Sequence, residues 1–223
     1  GHGDLICDKS GNWHILTLGF RQIHIWQPYH HLGREVFLTP VSFGEDGWFT
    51  AGDDGTTGFE YEMDGNFAQA EKKLYTFENT DWKIDWCYLR HPNFDNYELS
   101  EKAVLKGTDV TLDEVDSPTF IALRQRDFDM NYSVDVSIDK GEAGVSVYMC
   151  ENEHYDAAIR ASKDGFEAVL KLNIGGIKHI QTTVPISGCS AKLEIVSDSV
   201  FYNFFVNDNG ERIYLGGGQS KYL

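Results

Sequence analysis

Two positions near the start of the chain combine a reactive side chain with neighbouring glycines. His2 lies between Gly1 and Gly3 and leads directly into the apolar residues Leu5 and Ile6. Glycine lets a ligand approach the backbone closely and lets the chain adopt unusual dihedral angles. An imidazole in this setting can bind a metal ion or a polar ligand, and it can equally be an ordinary loop histidine.

Arg34 is the second candidate, because it follows Gly33 at the entrance to the apolar run of residues 35–41. A guanidinium offers five N–H donors in a fixed geometry, which suits hydrogen bonds to sugar hydroxyls or to a carboxylate. Two plainer interpretations are a solvent-facing arginine and an ion pair with Glu35. His30 and His31 are adjacent, so in a strand they point to opposite faces and joint metal ligation is not expected.

The elements that must position these residues are short β-strands. Many runs alternate apolar and polar residues, as where Val134, Val136 and Ile138 share one face, and such alternation indicates one buried and one wet face. Glycine-containing turns separate the runs, which predicts an antiparallel all-β sandwich or barrel. The predicted strands are 13–18, 35–41, 84–89, 119–123, 132–138, 144–149, 155–161, 166–172, 177–184, 191–196 and 200–206.

A change in composition around residues 52–78 predicts a domain boundary. Residues 52–58 are turn-rich and polar, and Glu71-Lys72-Lys73 is charged without alternation. We therefore divide the chain into residues 1–73 and 74–223. A unit of about 70 residues built from such short strands would leave open edges and unburied faces, so the first unit is expected to belong to a larger body.

The bulk composition restricts the partners. The chain has 223 residues and a net charge of −16, which repels nucleic acid and favours neutral or cationic ligands, among which neutral sugars are one of many classes that fit. No apolar run approaches the roughly 18 residues that span a bilayer, so no membrane partner is expected. The four cysteines, Cys7, Cys87, Cys150 and Cys189, are widely spaced. This spacing predicts buried free thiols and favours a reducing, cytoplasmic compartment.

Aromatic residues carry two further expectations. Gly47-Trp48-Phe49, after an acidic turn, predicts a hairpin that closes on a core tryptophan. In the second unit, aromatic rings are candidates either for core packing or for stacking on sugar rings. These candidates are Trp82, Trp86, Tyr88, Tyr97 and Tyr155.

Several segments, taken in order, resemble glycoside hydrolases of family 43. Near the end of that family's catalytic propeller, similar segments stand here as 1–5, Gly11-Asn12-Trp13, 33–38 and Asp46-Gly47-Trp48. Residues 86–93 with Tyr97-Glu98-Leu99 resemble the entry to the family's C-terminal sandwich. Residues 123–126 and 143–149, followed by His154-Tyr155, resemble its later strands. The resemblance covers nearly the whole chain.

The resemblance implies a fold and an activity. Residues 1–73 would be the last part of a five-bladed β-propeller, and residues 74–223 a concanavalin-like β-sandwich of jelly-roll type. The implied reaction is inverting hydrolysis of non-reducing-end xylosyl or arabinofuranosyl units from plant cell-wall oligosaccharides. Inversion uses an acid and a base carboxyl group about 6.5–9.5 Å apart, with a water molecule between the base and the sugar.

The resemblance also assigns site residues. In the family the catalytic carboxyl groups lie in earlier blades, and none of Asp4, Glu35 or Asp46 matches them. No catalytic residue is therefore expected here, and the chain alone should be inactive. His2 matches a pocket histidine that ligates calcium, in some cases through water, and also serves substrate binding. Arg34 matches an arginine that binds the terminal sugar.

The resemblance further implies a homo-oligomer and a sandwich that continues beyond residues 215–218, which would leave an unpaired edge here. Two alternatives stay open for the second unit. It could be a non-catalytic carbohydrate-binding module, or a structural module that shields the propeller and closes its pocket.

Overall fold

The computed structural model describes residues 2–22, 29–58, 60–62, 72–78 and 84–223. The chain divides into two compact units, Gly1–Lys73 and Leu74–Leu223. Of the sequence candidates, Gly1 and Trp82 lie outside the described residues. Within the described ranges, no helix is long and apolar enough to cross a membrane.

The described residues of the first unit form one antiparallel sheet with strand order β1-β2-β3-β4. The predicted strands at 13–18 and 35–41 are confirmed and each extends slightly further. Four antiparallel strands in sequence order form the repeat unit of a propeller blade. The strands are β1 (Gly3–Cys7), β2 (Trp13–Gly19), β3 (Glu35–Phe43) and β4 (Phe49–Ala51).

Both faces of this sheet carry exposed apolar side chains. By the register of pairing, Leu5 and Trp13 lie on one face, whereas Ile6, Leu18 and Val36 lie on the other. All five are exposed, and Val36 retains 66% of its accessible surface. A soluble sheet normally buries at least one apolar face, so this pattern favours further layers packed on both sides.

The β3–β4 hairpin forms where the sequence predicts it. Asp46 Oδ1 accepts the backbone N–H of Trp48 at 3.1 Å, and Gly47 supplies a positive φ of 81°. The expectation of a core tryptophan is wrong, because Trp48 is 76% exposed. Trp48 lies in the turn before β4 begins, outside the paired part of the sheet.

The second unit contains two four-stranded antiparallel sheets, with orders β10-β11-β12-β13 and β16-β15-β14-β9, and two short ladders, β5-β8 and β6-β7. The strands β6, β7 and β16 were not predicted. β16 forms one edge of its sheet, and a further strand beyond it stays a prediction. The strands are β5 (Trp86–Tyr88), β6 (Tyr97–Leu99), β7 (Ala103–Leu105), β8 (Ile121–Leu123), β9 (Met130–Ser137), β10 (Glu142–Cys150), β11 (Glu153–Ser162), β12 (Gly165–Ile174), β13 (Ile177–Ile186), β14 (Ser190–Ser197), β15 (Phe201–Asp208) and β16 (Glu211–Gln219).

The two larger sheets enclose one hydrophobic core. Alternate residues of β11 and β12, such as Ile159 and Leu170, pack with alternate residues of β14 and β15, such as Leu193 and Phe204. These four side chains are fully buried, and each buried aliphatic or aromatic side chain contributes about 1.5–3 kcal/mol. The predicted alternation therefore produces an antiparallel sandwich.

Tyr155 belongs to this core and is not a sugar-stacking residue. Its side chain is fully buried, and its hydroxyl donates to the carbonyl of Gln219 at 2.8 Å. The ring passes so close to β16 that a Cβ at Gly218 would lie 2.4 Å from it. The glycine at position 218 of β16 is thus a packing requirement of the core.

The expectation of buried cysteines is wrong. All four thiols are free, but Cys7, Cys87 and Cys189 are exposed and Cys150 is half-buried. Cys7 ends an edge strand, and Cys189 lies in the turn between β13 and β14. Apolar neighbours in sequence did not reveal these edge and turn positions.

Candidate functional site

The strand order places His2 and Arg34 at the same end of the first unit's sheet. β1 begins opposite the end of β2, where Gly3 pairs with Thr17, and β3 begins there too, where Gly19 pairs with Glu35. The two starts are separated by one intervening strand, which corresponds to about 10 Å at ordinary strand spacing. Both side chains are exposed at this end. Two residues that are 32 positions apart can therefore serve one site.

Glu35 does not pair with Arg34. Its carboxylate instead accepts two hydrogen bonds from Arg21, with Nε to Oε2 at 2.8 Å and Nη2 to Oε1 at 2.9 Å. Among the described residues, Arg34 has no ion-pair or hydrogen-bond partner. The ion-pair interpretation of Arg34 is thus wrong, and its guanidinium is available to a ligand.

The turn before Arg34 contains both neighbouring histidines, so they do not lie in a strand as the sequence argument assumed. The N–H of Gly33 donates to the carbonyl of His30 at 2.8 Å, and Gly33 has a φ of 77°. The ring of His30 lies 4.1 Å from that of Phe20. Burial lowers the pKa of His31. The two imidazoles thus have different surroundings, and the expectation that they do not ligate one metal ion together stays a prediction.

Calcium fits the described residues only in part. Calcium takes six to eight oxygen ligands, mainly carboxylates, carbonyls and water. In the part of the chain that the structure describes, no three His, Cys, Asp or Glu side chains come together to hold a metal ion. His2 could supply one contact, directly or through water, and the remaining ligands would have to come from elsewhere.

Carboxylates of the first unit have structural partners. Asp8 accepts the backbone N–H groups of Ser10 and Asn12, both at 2.8 Å, and the side-chain amide of Asn12 lowers the pKa of Asp8. Asp46 caps the β3–β4 turn, and Glu35 binds Arg21. These three groups hold turns and strand ends, and the expectation that Asp4, Glu35 and Asp46 are not the acid and base stays a prediction.

The second unit contains a buried polar cluster that sequence reasoning missed. The ring of His154 on β11 lies between two carboxylates, with Nδ1 2.9 Å from Asp156 Oδ2 and Nε2 3.1 Å from Asp113 Oδ1. Asn173 on β12 donates to the same Asp113 oxygen at 2.7 Å, and Lys178 Nζ lies 3.0 Å from the other oxygen. The only local signal is the alternation of His154 with Asp156 along one face of a strand.

The electrostatics of this cluster favour a charged imidazole. Burial opposes the charge, but the hydrogen bonds and negative charges of Asp156 and Asp113 outweigh it and raise the pKa of His154. Burial likewise acts against ionised Asp113, whereas Lys178 and Asn173 outweigh it and lower the pKa of that carboxyl group. The cluster therefore ties the loop after β7 to the sheet.

The remaining aromatic candidates are packed against other rings. Trp86 lies 5.2 Å from Tyr75 and 5.6 Å from Phe77, measured between ring centroids. Tyr88 and Tyr97 meet edge to face at 5.4 Å. The hydroxyl of Tyr97 also accepts the N–H of Phe120 at 2.9 Å, which fixes its orientation. These contacts indicate a structural role for the candidates of this group.

The sandwich matches a known domain family. The family model of the β-xylosidase C-terminal concanavalin A-like domain matches residues 75–223. The predicted all-β fold with a concanavalin-like sandwich is therefore confirmed. The chain belongs to glycoside hydrolase family 43.

Two curated relatives align along almost the whole chain. The non-reducing end alpha-L-arabinofuranosidase BoGH43B of Bacteroides ovatus is 31% identical over 234 residues, covering 99% of this chain and 44% of the relative. A xylosidase/arabinosidase of Butyrivibrio fibrisolvens is 26% identical over 228 residues, covering 96% of this chain and 43% of the relative. The chain thus spans less than half the length of either relative.

Solved structures show the same fold over the full chain. The Bacteroides ovatus xyloglucan PUL GH43B matches with a TM-score of 0.87 and 28% identity, covering 100% of this chain and 46% of that structure. A xylan beta-1,4-xylosidase from Bacillus halodurans C-125 matches with a TM-score of 0.84 and 20% identity, again over 100% of this chain and 46% of that structure. Because its sequence identity is only 20%, the second match supports the assignment of the fold alone.

Proposed function

We propose that this chain is part of a glycosidase that removes non-reducing-end xylosyl or α-L-arabinofuranosyl units from plant cell-wall oligosaccharides with inversion. The observation that carries the proposal is the unengaged guanidinium of Arg34, at the same sheet end as His2. The names of the curated relatives, an arabinofuranosidase and a xylosidase/arabinosidase, supply the class of sugar.

Arg34 binds the terminal sugar in this proposal. A sugar hydroxyl is a weak partner in water, but a guanidinium can donate to two adjacent hydroxyl oxygens at once from its rigid fork. This interaction orients the ring before bond cleavage and holds it as charge develops at the anomeric carbon. Arg34 donates hydrogen bonds throughout and transfers no proton.

The proton transfers belong to carboxyl groups outside residues 1–223. One carboxylic acid protonates the leaving oxygen, and one carboxylate removes a proton from the attacking water on the opposite face of the sugar. Asp8, Glu35 and Asp46 are engaged in turns and a strand-end ion pair, which supports this assignment. By itself, the chain is inactive.

His2 has a supporting role in the same pocket. It contacts the substrate or a calcium ion, the latter directly or through a water molecule, and bound calcium would supply fixed positive charge. Its place before β1, beside the end of β2, keeps the imidazole at the sheet end that also holds Arg34. The proposed partners are thus the oligosaccharide and further copies of the protein, with no nucleic acid or membrane.

Product stereochemistry tests the proposal. The longer protein that contains this chain is incubated with an aryl β-D-xyloside and an aryl α-L-arabinofuranoside, and the first-formed sugar is observed by proton NMR. Inversion of the β-xyloside releases α-xylose first, before mutarotation. Release of β-xylose first, or no hydrolysis of either glycoside, would overturn the proposed reaction.

A further inference from the structure

The sheet β16-β15-β14-β9 has an outer face that points away from the hydrophobic core. Phe205 on β15 and Tyr214 on β16 are direct cross-strand partners on this face, while their neighbours Phe204 and Leu215 are buried in the core. The register shifts between Phe204 and Phe205, so that Leu215 is the extra residue of a bulge. A bulge re-aims the side chains beside it, and here it brings two aromatic rings together on the outer surface.

Tyr214 is the aromatic residue of this pair whose ring is exposed to solvent. The ring centroids of Phe205 and Tyr214 are 5.2 Å apart, and the guanidinium carbon of Arg212 lies 3.4 Å from the centre of the Phe205 ring. Arg212 therefore covers Phe205, whereas Tyr214 remains 55% exposed. A tyrosine ring combines an apolar surface with a polar end, which suits ligands that have both kinds of surface.

Hydrogen bonds fix the groups around this ring. The Tyr214 hydroxyl donates to Asn203 Oδ1 at 3.1 Å, and Arg212 Nε donates to Glu194 Oε2 at 2.8 Å. Among the described residues, the amide nitrogen of Asn203 has no hydrogen-bond partner. Tyr214 is thus flanked by a held amide that can donate a hydrogen bond to a sugar hydroxyl.

The charges of this outer face cancel. Lys192 and Arg212 are opposed by Asp135 and Glu194, although the chain as a whole has a net charge of −16. A balanced face with an open ring suits an uncharged polar ligand better than a polyanion or a strongly cationic partner.

We propose that the outer face around Tyr214 binds a neutral pyranose oligosaccharide of the xylan type. One sugar ring stacks on Tyr214, and one of its hydroxyls accepts a hydrogen bond from the Asn203 amide. The choice of xylan rests on the proposed function, whereas the class of neutral pyranose chain rests on this surface alone. The site lies on the sandwich and carries no catalytic group.

Binding of xylotetraose to the 223-residue chain tests this site. Titration followed by amide NMR should give saturable shifts on β14, β15 and β16, and Tyr214→Ala should weaken binding at least tenfold. Tyr222→Ala is the matched control, because Tyr222 is also an exposed tyrosine of this unit. It should change the affinity by less than twofold, and thermal unfolding should show that both variants stay folded.

Three outcomes would overturn the site. The first is equal affinity of the wild type and Tyr214→Ala for xylotetraose, and the second is absence of saturable binding. The third is a concentration-dependent dimer that Tyr214→Ala abolishes, because a second copy of the chain would then occupy this surface. The hydrolysis test separates this inference from the proposed function. If the longer protein hydrolyses the glycosides but binding does not depend on Tyr214, only the proposed site is contradicted. If binding depends on Tyr214 but the longer protein does not hydrolyse the glycosides, only the proposed reaction is contradicted.

Discussion

Asp113 and His154 are 41 residues apart in sequence, yet Asp113 Oδ1 lies 3.1 Å from Nε2 of His154. With Asp156 on the other ring nitrogen, the imidazole is held between two carboxylates. A neutral imidazole has only one N–H to donate, whereas a charged one donates from both nitrogens. This contact therefore couples the position of the loop after β7 to the protonation of a buried histidine.

The stability that His154 contributes should depend on pH. Its folded pKa is raised above 6.5, so its contribution is fully present below about pH 6.5 and is lost as the pH rises through the folded pKa. Asp113 has a pKa lowered from 3.8, so its contribution is lost as the pH falls through that lowered value. We expect His154→Leu to reduce the free energy of unfolding by about 3 kcal/mol at pH 6, because it removes the shared positive charge from two partly buried carboxylates.

Urea unfolding of the wild type and His154→Leu at several pH values measures this effect. The difference should shrink towards alkaline pH. His179→Ala is the control, since His179 is exposed on β13, and it should change the stability by less than about 0.5 kcal/mol. A difference between the wild type and His154→Leu that is constant from pH 5 to pH 9 would contradict a charged His154.

Gly218 should tolerate no side chain. A Cβ there would lie 2.4 Å from the buried Tyr155 ring, which cannot move without disturbing the core. We expect Gly218→Ala to lower the free energy of unfolding by about 1–3 kcal/mol. Gly188→Ala is a suitable control, because a Cβ at Gly188 meets nothing within 4 Å and no positive φ is required. Equal stability of the two variants in denaturant melts would refute the close packing of β16 on Tyr155.

Arg34→Ala should impair catalysis by the longer protein without unfolding it. Loss of a charged hydrogen-bond donor from a substrate site costs about 2–4 kcal/mol, which corresponds to a fall in kcat/KM of roughly 30-fold to 1,000-fold. Lys9→Ala removes an exposed cation from the turn at the other end of the sheet and should leave kcat/KM unchanged. A change below about threefold for Arg34→Ala would rule out its role in binding the sugar.

His2→Ala should remove the response of the longer protein to calcium. A ligand that binds only the folded state at 100 times its Kd adds about 2.7 kcal/mol, so calcium should raise the Tm of the wild type and not that of the variant. His91→Ala, an exposed histidine of the other unit, should keep the full response. If His2→Ala retains both the activity and the calcium-dependent shift in Tm, the assignment of His2 fails.

Local patterns predicted the sandwich well because the alternation of apolar and polar residues within a strand indicates which of its faces is buried. Val134, Val136 and Ile138 alternate in sequence and pack on the core in the structure. β16 escaped prediction because Gly216, Gly217 and Gly218 are poor strand formers, and the close approach of the Tyr155 ring that excludes a side chain at Gly218 is visible only in the folded chain.

Long-range relationships were beyond local patterns. From the sequence, Glu35 was a possible ion-pair partner of Arg34, whereas in the structure the Glu35 carboxylate forms an ion pair with Arg21. The Asp113–His154 contact and the Phe205–Tyr214 pair likewise depend on which strands and loops become neighbours. His2 and Arg34 could be proposed through a family resemblance, but their placement at one sheet end follows from strand order.

The central claim is that residues 1–223 supply binding groups and a sandwich, while the acid and base lie outside them. The most direct measurement is hydrolysis of aryl β-D-xyloside and aryl α-L-arabinofuranoside by the folded 223-residue chain, with calcium present, beside the longer protein at equal concentration. We predict turnover by the longer protein and none by the chain alone. Clear turnover by the chain alone would mean that carboxylates within residues 1–223 perform the chemistry, and it would contradict the claim.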